Sequence, residues 1–378
     1  MEDFILKELL TSDISKEIKD IGFDDNYSSV ALDKFKYKNI KIFNLNIAQA
    51  NIIKQTALSV GADCATHRDV ITGKIAISNA ILGGSYSQIK KIAQKLKSQP
   101  FKLSILGHKI IDFLEFDFQK KETKLVGILN ITPDSFSDGG KYLKPLDAKK
   151  HFEKLIIDGA DIIDIGAEST RPYSEEVPSN VQIERLTPIL KFIQDENFKI
   201  PISVDTRSSI VADFALNHGA SIINDVSGFD FDNKMPEIIK KYNAEIIIQH
   251  SNGIPKTMQN NTKYNNIIED VYFKLKEKKE LAESFGINKI ILDVGIGFGK
   301  TKKDNFELLD KIQEFHSLNS PLMIGVSRKS LLGIKEDDND LKDALSLAIS
   351  YPLINKVDYL RVHNVKLHKI MLANKVNM

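Results

Sequence analysis

Cysteine is almost missing from this chain. Cys64 stands alone among 378 residues, so an internal disulfide is excluded and a reducing, cytoplasmic setting is expected. Net charge is nearly missing too. The 52 lysines and arginines face 51 acidic residues, a formal net charge of +1. That balance leaves no electrostatic footprint for nucleic acid or an anionic membrane, and neither is expected as a partner. The first ten residues, MEDFILKELL, are acidic where a signal peptide is basic, and they carry no long apolar core. Neither a signal peptide nor a transmembrane helix is expected. Convincing nucleophile–base pairs are absent as well, which argues against covalent catalysis. Arginine is scarce. Of the six, Arg171, Arg207, Arg328 and Arg361 fall at or just after apolar runs, while Arg68 and Arg185 do not. Arginine's planar fork suits carboxylates, phosphates and flat rings, so geometry matters at those places. Arg207 also fits a simpler role as a brace between loops.

What is present is a repeated pattern. Apolar runs recur at Leu125–Leu129, Ile162–Ile165, Pro201–Val204, Ser221–Ile223, Ala244–Ile248, Lys289–Leu292, Pro321–Val326 and Val357–Leu360. Segments of helical length and spacing, such as Tyr264–Phe285 and Leu341–Ile354, lie between them. Eight strand–helix units in about 250 residues predict an α/β fold, a (β/α)8 TIM barrel, over an open doubly wound sheet. A chain of this length suggests a second domain. Residues 1–122 are expected to form a small N-terminal α+β module and residues 123–378 the barrel.

The polar residues fall in a telling place. Each run ends in a hydrogen-bonding group: Asn130, Glu168 to Arg171, Asp205, Asn224 and Asp225, Gln249 and His250, Asp293, Ser327 to Lys329, Arg361 and His363. In a barrel these ends meet at one rim, where barrel enzymes build their sites. Loops are polar anyway, but that explains one or two ends better than all eight. The densest stretch is GILNITPDSFSDGG, Gly127–Gly140. It is an apolar strand that opens at Asn130 into a long polar loop, and the loop can close over a ligand.

That stretch closely resembles a signature of the dihydropteroate synthases, which are pterin-binding barrels. Further matches follow in order along the chain: GAESTRP, SVDT, IND, GIPKTMQ, GIGFGK, GVSRKS and RVHNV. The resemblance covers about Leu125 to the C-terminus. It implies condensation of 6-hydroxymethyl-7,8-dihydropterin diphosphate with p-aminobenzoate, giving 7,8-dihydropteroate and diphosphate in folate synthesis. It also implies Mg²⁺ held mainly by diphosphate oxygens and water, with Asn130 as the protein ligand, inhibition by sulfonamides, and a homodimer.

Residue types and matches together set the expected site. Asp205, Asn224 and Asp293 accept from the pterin N–H groups, and Lys329 donates to the carbonyl side. Phe298 and Arg361 cover the ring, and Gln249 faces it. Asn130, Arg361 and His363 hold the diphosphate. Asp138 steadies positive charge on the pterin methylene. Phe136 and Pro172 wall the arylamine, Ser330 holds its carboxylate, and Thr170 and Arg171 complete the second loop. Three positions depart from the family pattern. Gln249 stands where methionine is usual, Val294 where proline is usual and Asn364 where aspartate is usual. A folate-dependent methyl-transferring barrel and a degenerate scaffold are the alternatives. The intact TPDSFSDGG, ESTRP and SRKS segments disfavour both.

The first 122 residues lie outside the resemblance. Strands are expected at Ile40–Leu45 and Lys109–Phe116, and helices at Ile47–Val60 and Tyr86–Leu96. Cys64, His67 and Arg68 lie close together, but one cysteine and one histidine fall far short of a metal site. No glycine-rich nucleotide loop occurs there. A role in stability or assembly is expected.

Overall fold

A computed structural model of the chain describes residues 6–9, 14–115, 122–132, 145–169, 174–253, 262–334 and 338–375. The chain divides into two units, Met1–Asp117 and Phe118–Met378.

The first unit runs α1 (Ile14–Asp20), α2 (Ser28–Phe35), β1 (Tyr37–Asn46), α3 (Ile47–Leu58), β2 (Asp63–Thr66), β3 (Ile77–Ser85), α4 (Tyr86–Leu96) and α5 (Leu103–Glu115). Its sheet is antiparallel in the order β1-β3-β2. Both α3 and α4 start at full capping boxes, Asn46 with Gln49 and Ser85 with Gln88. The sequence expectation fails at two points here. The expected strand Lys109–Phe116 is helical over its described residues, 109–115, because Leu103–Glu115 is a helix whose Leu103, Gly107, Ile110 and Leu114 share one buried face at helical spacing. The apolar pairs at Ile110-Ile111 and Phe113-Leu114 look strand-like only in a window too short to show the 3.6 period. Strands β2 and β3 carry little sequence signal, because Ser78, Asn79, Gly83 and Gly84 give β3 little strand propensity. Cys64 is buried in this unit's core, and burial pushes its thiol up to about 11, which makes it a packing residue rather than a reactive one.

The second unit alternates strands and helices: β4 (Lys124–Asn130), α6 (Pro145–Ile157), β5 (Ile162–Gly166), α7 (Ser179–Asp195), β6 (Ile202–Asp205), α8 (Ser209–Asn217), β7 (Ile222–Asp225) and α9 (Met235–Tyr242). It continues with β8 (Glu245–Gln249), α10 (Ile267–Ser284), β9 (Ile290–Asp293), α11 (Lys302–Asp310), β10 (Leu322–Ile324), α12 (Asn339–Ser350), β11 (Tyr359–Val362) and α13 (Val365–Ala373). All neighbouring strands are parallel, and β11 pairs back onto β4 to close the barrel. Each expected strand is present, shifted by a residue or two.

Strand parity positions the site. Side chains alternate between barrel interior and helix layer. One interior cluster joins Val126, Ile162, Ile222, Ile247, Ile291 and Met323, with Tyr359 packed on it. Two residues further along the same strands stand Asp164, Asn224, Gln249, Asp293 and Arg361, which therefore share the inward face. An apolar plug thus fills the lower barrel, and a polar layer sits above it toward the strand C-termini. Among the described residues no helix is long and apolar enough to cross a membrane.

Candidate active site

The polar layer is organised around a carboxylate that the motifs do not mark. Asp164, on β5, is fully buried. It accepts from Ser203 Oγ at 2.6 Å, Asn224 Nδ2 at 3.1 Å and Arg361 Nε at 2.6 Å. Arg361 Nη2 donates to Asp205 Oδ2 at 3.0 Å. The guanidinium therefore bridges two carboxylates inside the barrel, and Arg361 is first of all their counter-ion. The remaining signal in the sequence was a lone acidic residue inside the run IIDIG, since an isolated buried charge must be paired.

Burial, opposed by Arg361 and reinforced by Asp164, pushes the Asp205 carboxyl up to about 7. Asp293 is also raised, chiefly by burial, with the Lys329 charge opposing the shift. Its Oδ1 accepts from the Gly295 amide at 2.7 Å. Lys329 donates to the Ile296 carbonyl at 2.6 Å, and its ammonium lies 4.8 Å from the Phe298 ring centre. Burial lowers Lys329 to about 8, against the pull of Asp293. Gln249 and Asp293 are register partners on β8 and β9. Three buried polar atoms in this layer have no hydrogen-bond partner among the described residues: Asp205 Oδ1, Asn224 Oδ1 and Gln249 Nε2. Buried polar groups are normally paired, so three on consecutive strands outline a ligand site.

The surrounding rim is braced by other ion pairs. Arg207 grips Glu168 with two bonds of 2.9 and 3.2 Å and stacks 4.0 Å from the Phe231 ring centre. Arg328 forks onto Asp343 at 2.7 and 2.8 Å. Asn364 donates to that same Asp343 at 3.0 Å and caps α13 by accepting from Leu367 N at 3.1 Å. An aspartate at 364 would cap equally well but would face Asp343 as a like charge, so the amide suits this neighbourhood. Three rim arginines, Arg207, Arg328 and Arg361, thus serve protein carboxylates. Buried Lys300 ties two loops together. It donates to His250 Nδ1 at 2.9 Å and to the Gly295 and Phe298 carbonyls at 2.9 and 3.0 Å. Fully buried Val294 precedes Gly295, which holds φ at +68°. The glycine carries the turn, because a Cβ there would lie 1.8 Å from the His250 oxygen.

Asn130 ends β4, half-buried at the rim. His363 turns to Ser327, its amide donating to Oγ at 3.1 Å and its Nδ1 lying 3.0 Å from the same oxygen. Ser330 opens a short 3₁₀ turn, Ser330–Leu332. Phe136, Asp138, Thr170, Arg171 and Pro172 lie outside the described residues. Among those described, no group of three or more His, Cys, Asp or Glu is placed to hold a metal ion.

A closed parallel barrel with buried acceptors, a lysine and an aromatic ring at its C-terminal rim defines a barrel enzyme with a polar site for a small molecule. Residues 126–363 match the pterin binding enzyme family. A dihydropteroate synthase of Clostridium beijerinckii is 40% identical over 256 residues, covering 66% of this chain and 92% of that protein. A Clostridium difficile dihydropteroate synthase, solved in the presence of pteroic acid, is 38% identical with a TM-score of 0.62, covering 68% of this chain and 97% of the other. A bifunctional dihydropteroate synthase/dihydropteroate reductase of Helicobacter pylori is 34% identical over 376 residues, covering 96% of both chains. The chain belongs to the pterin binding enzyme family, as one of its dihydropteroate synthases.

Proposed function

We propose that the rim condenses 6-hydroxymethyl-7,8-dihydropterin diphosphate with p-aminobenzoate, releasing diphosphate. The observation that carries this is the set of unpaired acceptors on Asp205 and Asn224 beside Asp293 and Lys329. A pterin edge offers ring N–H and amino donors to those acceptors and a carbonyl to the ammonium. Phe298 supplies an apolar surface for the ring. Arg361 has five N–H donors, and we assign those beyond its two carboxylate bonds to the ligand. Asn130, His363 and Arg361 neutralise the growing charge on the departing diphosphate. Departure leaves a cation at the pterin methylene, delocalised into the ring and steadied by Asp138. The arylamine nitrogen attacks that carbon and then loses a proton. Phe136 and Pro172 wall the arylamine, Ser330 binds its carboxylate, and Thr170 and Arg171 complete the loop.

A half-buried amide such as Asn130 fits a hard cation held chiefly by substrate oxygens and water. We assign Mg²⁺ that place, with Asn130 as its protein ligand; when bound it neutralises diphosphate charge. Assembly as a homodimer in the cytoplasm completes the reading, and sulfonamides are expected to compete with p-aminobenzoate. The test is diphosphate release from the pterin diphosphate with and without p-aminobenzoate. No release dependent on the arylamine overturns the assignment.

The two shifted groups set a pH expectation. Asp205 accepts best when ionised, which requires pH above about 7. Lys329 donates as an ammonium, which requires pH below about 8. Pterin affinity should therefore peak between these values and fall on both sides. Calorimetric titrations across pH check this, and a flat profile contradicts it.

A second activity is favoured by one observation. Relatives named only as dihydropteroate synthases cover about two thirds of this chain, as in Clostridium beijerinckii. The bifunctional Helicobacter protein covers nearly all of it, first unit included. We infer from this coverage that the first unit carries a reducing step on the product. A hydride from a reduced nicotinamide or flavin adds at C6 of the dihydropteroate ring, and a proton adds at N5, giving tetrahydropteroate. Incubating the full chain with dihydropteroate and each reductant should yield tetrahydropteroate. Absence of that product returns the unit to a role in stability or assembly.

A further inference from the structure

We propose that Gln249 is a specificity residue that donates a hydrogen bond from Nε2 to an unprotonated acceptor, a ring nitrogen or carbonyl oxygen, of the bound pterin. This rests on the pterin reading above and deepens it. Gln249 ends β8 and points into the barrel by strand parity, with 4% of its surface exposed. Its Nε2 has no partner among the described residues. Such a donor costs free energy in the unliganded protein and gives it back only when a ligand supplies an acceptor. The same holds in mirror image for Asp205 Oδ1 and Asn224 Oδ1 on β6 and β7. The three strand ends therefore present acceptor, acceptor and donor in order around the rim.

The polarity at Gln249 follows from its neighbours. Asp293 is its register partner, and Asp205 lies in the same layer. A carbonyl oxygen turned toward this carboxylate-rich space meets like partial charge, while an N–H₂ meets opposite charge. The donor end is therefore the end that faces the ligand. Lys329 is one donor on this rim, and the acceptors of β6, β7 and β9 by themselves discriminate poorly among flat rings rich in N–H groups. A donor placed among acceptors rejects any ring that presents N–H at that edge, since two donors would then oppose each other unpaired.

The test uses the full-length protein and two substitutions. Gln249→Met keeps length and volume but removes the donor. Gln249→Glu replaces it with an acceptor. Each is titrated calorimetrically with 6-hydroxymethyl-7,8-dihydropterin and melted without ligand. The expected result has opposite signs. Gln249→Met melts at or above the wild-type temperature, because the unpaired donor is gone. It binds the pterin about 3- to 10-fold more weakly, and Gln249→Glu binds more weakly still. Gln249→Met binding as tightly as wild type overturns the proposal. So does a variant that binds weakly and also melts well below wild type, since that marks a structural role. Failure of the wild type itself to bind the pterin refutes the broader function instead.

Discussion

Lys329→Ala is expected to weaken pterin binding by roughly 100-fold or more, with turnover falling in parallel and the fold intact. The ammonium lies over Phe298, bonds the Ile296 carbonyl and opposes the charge of buried Asp293. Its removal takes away the donor for the ring carbonyl. It also leaves Asp293 with less opposing charge, so that carboxyl rises further and protonates more readily. An acid in place of a carboxylate loses half its acceptor capacity, and the 2-amino edge of the ring loses its partner. Asp293→Asn should do comparable damage by a different route. The amide keeps the shape and can still accept from the Gly295 amide, which holds the turn. Its N–H₂ then faces ring N–H groups. Calorimetry with a pterin ligand and thermal melting decide the matter. Near-normal affinity in both variants would remove Lys329 and Asp293 from the pocket and with them the proposed orientation of the ring.

Much of this site was legible because barrel strands are short and their parity is strict. An apolar run that stops at Asp205, Asn224, Gln249 or Asp293 tells both that a strand ends there and that the last side chain points inward. What could not be read was which partner each group chooses. Arg361 looked like a ligand-facing cation because it follows an apolar run. Its actual partners, Asp164 and Asp205, are 197 and 156 residues away in sequence. Asp164 was invisible for the complementary reason, since a single acidic residue in the middle of a strand carries no local motif. Lys300 sits within GIGFGK, yet the sequence does not show that its ammonium ties the His250 and Phe298 loops together. In the first unit the C-terminal half of α5 resembles a strand in sequence because its paired apolar residues match both periods over a short window. Such errors come from tertiary context, which local patterns do not encode.

Arg361→Met should destabilise the barrel strongly, and its effect should depend on pH in a definite direction. The guanidinium closes a buried network. Asp164 takes bonds from Ser203, Asn224 and Arg361, and Asp205 takes its own from Arg361. Removing one partner of a buried ion pair costs about 3–5 kcal/mol, because the other charge stays behind unmatched. The pH dependence comes from Asp205. Its folded value, about 7, already lies above the ordinary 3.8. A carboxyl raised in the folded state contributes stability that is fully present below the unfolded value and is lost as pH rises through the folded one. Arg361 is the main influence holding Asp205 down against burial. Without it the folded value climbs past about 7, and the loss of stability continues into more alkaline solution. At about pH 5 Asp205 is protonated in both proteins, so its share of the difference is small. At about pH 8 the wild type has finished its loss while the variant has not. The gap in melting temperature between wild type and Arg361→Met should therefore widen from about pH 5 to about pH 8. Thermal melts at the two pH values measure it directly. A gap that is constant, or larger on the acid side, would mean that Asp205 does not depend on Arg361 for its charge. The network would then owe its order to Ser203 and Asn224, and Arg361 would return to being a ligand contact alone.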